Sequence, residues 1–199
     1  MAIVQYTVFP ASENFAKDRS RFKEALAALT SAEGHIGSFS GLQVEEEGSK
    51  NRYFITVWES VEHQKKFRES ANEKLGEIYS FLKDAVPGEI VRHQFTLIKG
   101  TPLLGLESKN TELVIITPKD GVPFDRVKEI ALKVRDVWDA NGHPSAISEG
   151  NGMILNIVGW TSTAHHLDTV KEEPYASIVN EFSAIGNFDM AHANLEKQN

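Results

Sequence analysis

Residues 3–9, IVQYTVF, alternate apolar and polar positions and are rich in β-branched side chains, a period of two that predicts a strand. The period then lengthens. Phe15, Phe22, Leu26 and Leu29 fall on one face of a helix predicted over 13–30, with Ser12 as its N-cap and Gly34 as its stop. Strands over 38–45 and 52–58 follow, joined by the polar hairpin EEEGSKN, which contains Gly48. Ser60 is placed to cap a second helix over 61–84, with Phe67, Leu75, Ile78 and Leu82 inward and a break near Ser70. Pro87-Gly88 ends that helix, and EIVRHQFTLI is a fourth strand.

The same order then recurs: strand 112–117, helix 123–139, strands 143–149 and 153–160, helix 162–184 and strand 187–195. Pro123 suits a first helical turn, and Pro174 predicts a break around Lys171 to Glu173. The recurrence extends to individual residues. VWESVEHQKKF and GWTSTAHHL place Trp58 and Trp160, Ser60 and Ser162, and His63 and His165 at a constant offset of 102. Gly34-His35 and Gly142-His143 are offset by 108, so the first copy carries six extra residues in its hairpin, where insertion costs little. His93 in VRHQFTL and His192 in MAHANL stand near the end of each copy, at an offset of 99. The reading is an internal duplication: a first α+β unit over 1–98, a linker over 99–110 given apolar grip by Leu103, Leu104 and Leu106, and a second unit over 111–199.

Composition narrows the function classes. With 199 residues, 41% of them hydrophobic and 25% charged, the chain can form two globular units of about 100 residues each. No stretch reaches the roughly 20 apolar residues of a membrane-spanning helix, and the first residues lack the pattern of a secretory signal, so a cytoplasmic protein is expected. The absence of cysteine excludes disulfides and thiolate chemistry. A net charge of −7 without a dense Lys/Arg cluster argues against nucleic acid. Glu45-Glu46-Glu47 reads as a solvated hairpin tip.

The passage FITVWESVEHQKKF, preceded by GHIGSFSG, resembles the antibiotic biosynthesis monooxygenase-like family of the dimeric α+β barrel superfamily; ILNIVGWTSTAHH carries the resemblance in the second copy. It implies two ferredoxin-like βαββαβ units whose antiparallel four-stranded sheets pack face to face as a barrel, here within one chain as a pseudo-dimer, with a further homodimer compatible. It also implies a small hydrophobic or aromatic molecule as ligand. Two functional readings stand side by side: a cofactor-independent monooxygenase acting on an aromatic or polyketide-like substrate, and a non-catalytic ligand-binding or stress-responsive module.

Alternation puts Phe54, Thr56 and Trp58 on one strand face, and Ile154, Asn156, Val158 and Trp160 on the corresponding one. The resemblance implies that this face looks into the barrel. It makes Trp58, Trp160, Phe54, Thr56 and Gln5 candidates for substrate binding; the alternative for the tryptophans is core packing. The Asn156 amide is costly in an apolar interior unless it bonds to protein, water or ligand, and joins His93 and His192 as a candidate for catalysis. A histidine satisfied on the outer face or rim is the alternative for those two. His63 and His165 fall in first helical turns, where a side chain can reach back towards the cap; His166 is expected at the surface, and His35 and His143 in turns. Tyr6 and Tyr53 are either phenolic donors or covered by helices. Heme-degrading relatives carry their ligand histidine at positions matching those around Arg68, where this chain has none. No cofactor and no metal are therefore expected. G-x-G-x-x-G, phosphate-binding-loop, H-E-x-x-H and G-x-S-x-G motifs are absent, so nucleotide, zinc-peptidase and hydrolase readings lack support.

Overall fold

A computed structural model describes residues 1–12, 23–71, 76 and 85–198. The chain divides into two compact units, one of Met1–Gln94 with the last residues from Glu196 on, the other of Phe95–Leu195.

In the first unit, β3 (Asn51–Trp58) lies between β1 (Ile3–Pro10) and β2 (His35–Gln43), antiparallel to both. A 3-10 turn, Glu45–Glu47, forms the hairpin tip, with Gly48 in the left-handed region behind it. Helices α1 (Lys23–Thr30) and α2 (Val61–Ser70) accompany the sheet. Helix α2 starts where the sequence predicts: the Ser60 hydroxyl accepts the His63 N–H at 3.3 Å. It ends at Ser70, the position of the expected break. Phe15, Phe22, Leu75, Ile78 and Leu82 lie outside the described residues.

In the second unit the strand order is β8 (Gly186–Lys197, through Leu195), β5 (Asn110–Pro118), β7 (Met153–Trp160), β6 (Ser145–Gly150), β4 (Val91–Gly100, from Phe95). The helices are α3 (Pro102–Leu106), α4 (Phe124–Ala140), α5 (Thr163–Thr169) and α6 (Tyr175–Ile185), the gap between α5 and α6 falling at Pro174 as expected. Val127, Ile130, Ala131, Val134 and Trp138 form the buried stripe of α4, packing with Tyr175 and Phe182 of α6 onto Val114, Ile116, Ile154, Val158 and Trp160 of the sheet.

One expectation is refined and one is corrected. EIVRHQFTLI forms a strand as expected, Val91–Gly100, but only its residues through Gln94 belong to the first unit, while Thr96–Gly100 pairs with β6 of the second. Alternation identifies a strand without choosing its neighbour. The tryptophan-bearing faces also lie beneath their own helices. Trp58 packs with Leu26 and Leu29 of α1 and Phe67 of α2, and Trp160 packs with α4 and α6. A period of two sorts residues into faces but does not say which face the helices cover. The opposite faces, with Tyr6, Tyr53 and Ile55 in one unit and Leu113, Leu155 and Ile157 in the other, are buried as well.

Candidate functional site

Four side chains of the second unit form a buried polar chain. Strand register sets Glu112 of β5 directly opposite His192 of β8, and two residues earlier sets Asn110 opposite Trp160 of β7. Because paired residues share a face, Glu112, His192 and Trp160 all point to the helix side. His166 comes down from α5, whose start is fixed by the Ser162 hydroxyl accepting the His165 N–H at 3.1 Å.

The Trp160 Nε1–H donates to Glu112 Oε2 at 2.8 Å. Glu112 Oε1 faces His166 Nε2 at 3.7 Å. On the far side of the same ring, His166 Nδ1 and His192 Nε2 share a hydrogen bond of 2.8 Å. Relative exposures are 6% for Glu112, 4% for His166, 1% for His192 and 3% for Trp160, which puts all four out of reach of bulk water. Desolvating a carboxylate and imidazoles costs several kcal/mol per ion if they are charged, so their mutual bonds are needed to hold them there. Such buried titratable clusters are more often functional than ordinary core is. Convergent lone pairs of this kind can hold a proton or a cation.

An aromatic shell surrounds the chain. His143 lies against Trp160 at 4.3 Å between ring centroids, Trp138 meets the indole edge-on at 5.3 Å, and Tyr175 stacks on Trp138 at 4.7 Å. Burial, with the charge of His165 adding to it, holds the His143 pKa below the ordinary histidine value. Asn156, on the same strand face as Trp160, is buried, and its Oδ1 has no hydrogen-bond partner among the described residues. The Asn110 Oδ1 is likewise without one, although its Nδ2 donates to Thr163 Oγ1 at 3.3 Å.

The first unit treats the matching positions differently. Ile3 stands opposite Trp58 as Asn110 stands opposite Trp160, so two residues on, Gln5 corresponds to Glu112. Six residues after each tryptophan, Gln64 corresponds to His166. The Trp58 Nε1–H donates to the neutral Thr56 Oγ1 at 3.0 Å, and that hydroxyl donates to Gln5 Oε1 at 3.3 Å. His35 meets Trp58 edge-on at 5.3 Å, and burial lowers its pKa. Phe54 packs in the same layer.

The structure therefore brings Trp160 and His192 together, and Trp58, Thr56 and Gln5 together. His93 does not share the orientation of His192. Its ring lies 6.3 Å from that of Tyr6, whereas Gln5 and Trp58 occupy the other face of the sheet. His166 is corrected from surface to core. His35 and His143 follow the helix-ending glycines at turns as expected, and in addition lie against the tryptophans. Sequence reasoning missed Glu112 altogether. Its signal was a carboxylate directly before the apolar run Leu113–Ile116 of β5, two positions along from the residue paired with Trp160.

No protein-family model matches the chain, and no curated protein matches it. Solved structures do. A provisionally named monooxygenase from Fusobacterium nucleatum aligns over 100% of this chain and 94% of its own, at a TM-score of 0.72 and 9% identity. Another from Lactobacillus acidophilus aligns over 100% and 94%, at 0.69 and 12%. An anthrone oxidase-like protein aligns over 99% and 93%, at 0.62 and 12%. At these identities the likeness establishes architecture only: the chain shares the mixed α/β fold, built on antiparallel strands, of these structures.

Proposed function

We propose that this protein binds a small aromatic or hydrophobic molecule and oxidises it in a monooxygenase-like reaction, with the working site in the unit Phe95–Leu195. The observation that carries the reading is the buried group of Glu112, His166 and His192 held against Trp160. The names of the structural neighbours, monooxygenases and an anthrone oxidase-like protein, support the reaction class. In this reading Asn156 offers its unpartnered oxygen to the ligand, and Trp160 and His192 border it. The chain is an internal duplication whose first copy keeps the tryptophan layer of Trp58, Phe54, Thr56 and Gln5 without the titratable group. His93, on the opposite face from that layer, takes no part.

The test is oxygen consumption with anthrone-like and quinol substrates. Wild type should turn over at least one of them, Glu112→Gln and Asn156→Ala should reduce kcat/KM by at least about tenfold, and Gln64→Ala should leave it unchanged. Equal turnover in all four proteins removes the assignment. Saturable binding without turnover, followed by tryptophan fluorescence, favours the ligand-binding module instead.

A further inference from the structure

We infer that Glu112, His166 and His192 form a binding site for a first-row divalent transition-metal ion. Each offers one donor atom, and the three atoms lie within 4.8 Å of one another, all buried. An ion held at about 2.0–2.2 Å from each would need its donors roughly 3–4 Å apart. The 2.8 Å separation between the two imidazole nitrogens must open slightly and the longer separations must close, changes within reach of small side-chain rotations. Two imidazoles and one carboxylate are the donor set of three-ligand zinc sites and of iron sites that keep open positions. Calcium and magnesium, which prefer all-oxygen surroundings, fit it poorly.

The support around the donors is of the kind such sites need. Glu112 and His192 are fixed opposite each other by strand pairing. Trp160 holds Oε2 of the carboxylate and leaves Oε1 turned towards His166, the outer hydrogen bond that orients a ligating group. A purely structural network is the competing explanation, and the first unit speaks against it. There the corresponding positions hold neutral amides: Gln5, bonded to the hydroxyl that accepts from Trp58, and the buried Gln64. Three protein donors would leave coordination positions for water or substrate. The inference rests on the proposed function only for that last step; the ion site itself stands on the donors.

The full chain is titrated with Co2+, whose visible ligand-field absorption reports nitrogen and oxygen coordination, and Zn2+ is then added in competition. One Co2+ per chain should bind saturably and be displaced by Zn2+. Because loss of an outer-sphere partner alone weakens metal affinity by about 10–100-fold, loss of a donor in Glu112→Gln or His192→Gln should weaken it by at least about 100-fold. Gln64→Ala should bind as wild type does. No saturable binding by the folded wild type, or undiminished binding in both donor variants, overturns the inference. If the donor variants fail to fold by circular dichroism, Trp160→Phe decides, since it keeps all three donors: affinity weakened by about 10–100-fold supports the site and unchanged affinity overturns it. Turnover is read separately. Ion uptake without oxidation removes the proposed reaction and leaves the site, whereas oxidation without uptake removes the ion.

Discussion

The two tryptophans occupy like positions but differ in what their N–H groups meet. Trp160 donates to a carboxylate, Trp58 to a hydroxyl. A hydrogen bond to a charged group contributes about 1.5–3 kcal/mol and one between neutral groups about 0.5–1.5 kcal/mol. Trp160→Phe should therefore destabilise the protein more than Trp58→Phe, which paired urea unfolding curves would measure; an equal or reversed order would overturn that ranking. The histidines beside these rings make a second prediction. His143 and His35 have pKa values lowered by burial from 6.5, so in the folded chain they stay neutral where the unfolded chain takes up a proton. Their contribution is complete above pH 6.5 and is lost as the pH falls through the lowered values. His143→Gln should thus flatten the acid side of the stability-against-pH curve. These residues also show what the sequence could not convey: the repeated Gly-His and Trp-x-Ser pairs were visible, but that the imidazole lies on the indole depends on a turn and a strand end meeting in space.

At the scale of elements, strand and helix positions were legible because period and caps are local. Ser60 and Ser162 both act as caps, and the long last helix breaks at its proline. Pairing partners and the helix-covered face were not legible, since both are decided by contacts between distant segments. Gly100 illustrates the difference. It ends β4 opposite Ala146 with φ at +89°, and a Cβ there would run into the Ser145 carbonyl oxygen and lie 2.9 Å from the Ala146 Cα. Gly121 has φ at +78° with nothing within 4 Å of its would-be Cβ. Gly121→Ala should cost only the left-handed backbone penalty, about 1–2 kcal/mol, while Gly100→Ala adds displacement of a paired strand and should cost clearly more. Thermal unfolding of the two variants side by side checks the order.

For the whole molecule, the doubling of the tryptophan junction was the most informative feature of the sequence: in both units a histidine lies against the tryptophan, and among the described residues only the second unit adds the group Glu112, His166 and His192. The strand face of the candidate site could be assembled from alternation, but His166 and Glu112 required the fold. Among the described residues no helix is long and apolar enough to cross a membrane.

The backbone N–H of Gln198 donates to the carbonyl oxygen of Ser38 at 2.8 Å, and the Lys197 ammonium lies 6.0 Å from the centre of the Phe39 ring. The first unit thus relies on Lys197 and Gln198, far along the chain from the strand they meet, to cover the margin of its sheet. During translation that margin stays bare until those residues have left the ribosome, an interval in which a chaperone or a stray strand can compete for it.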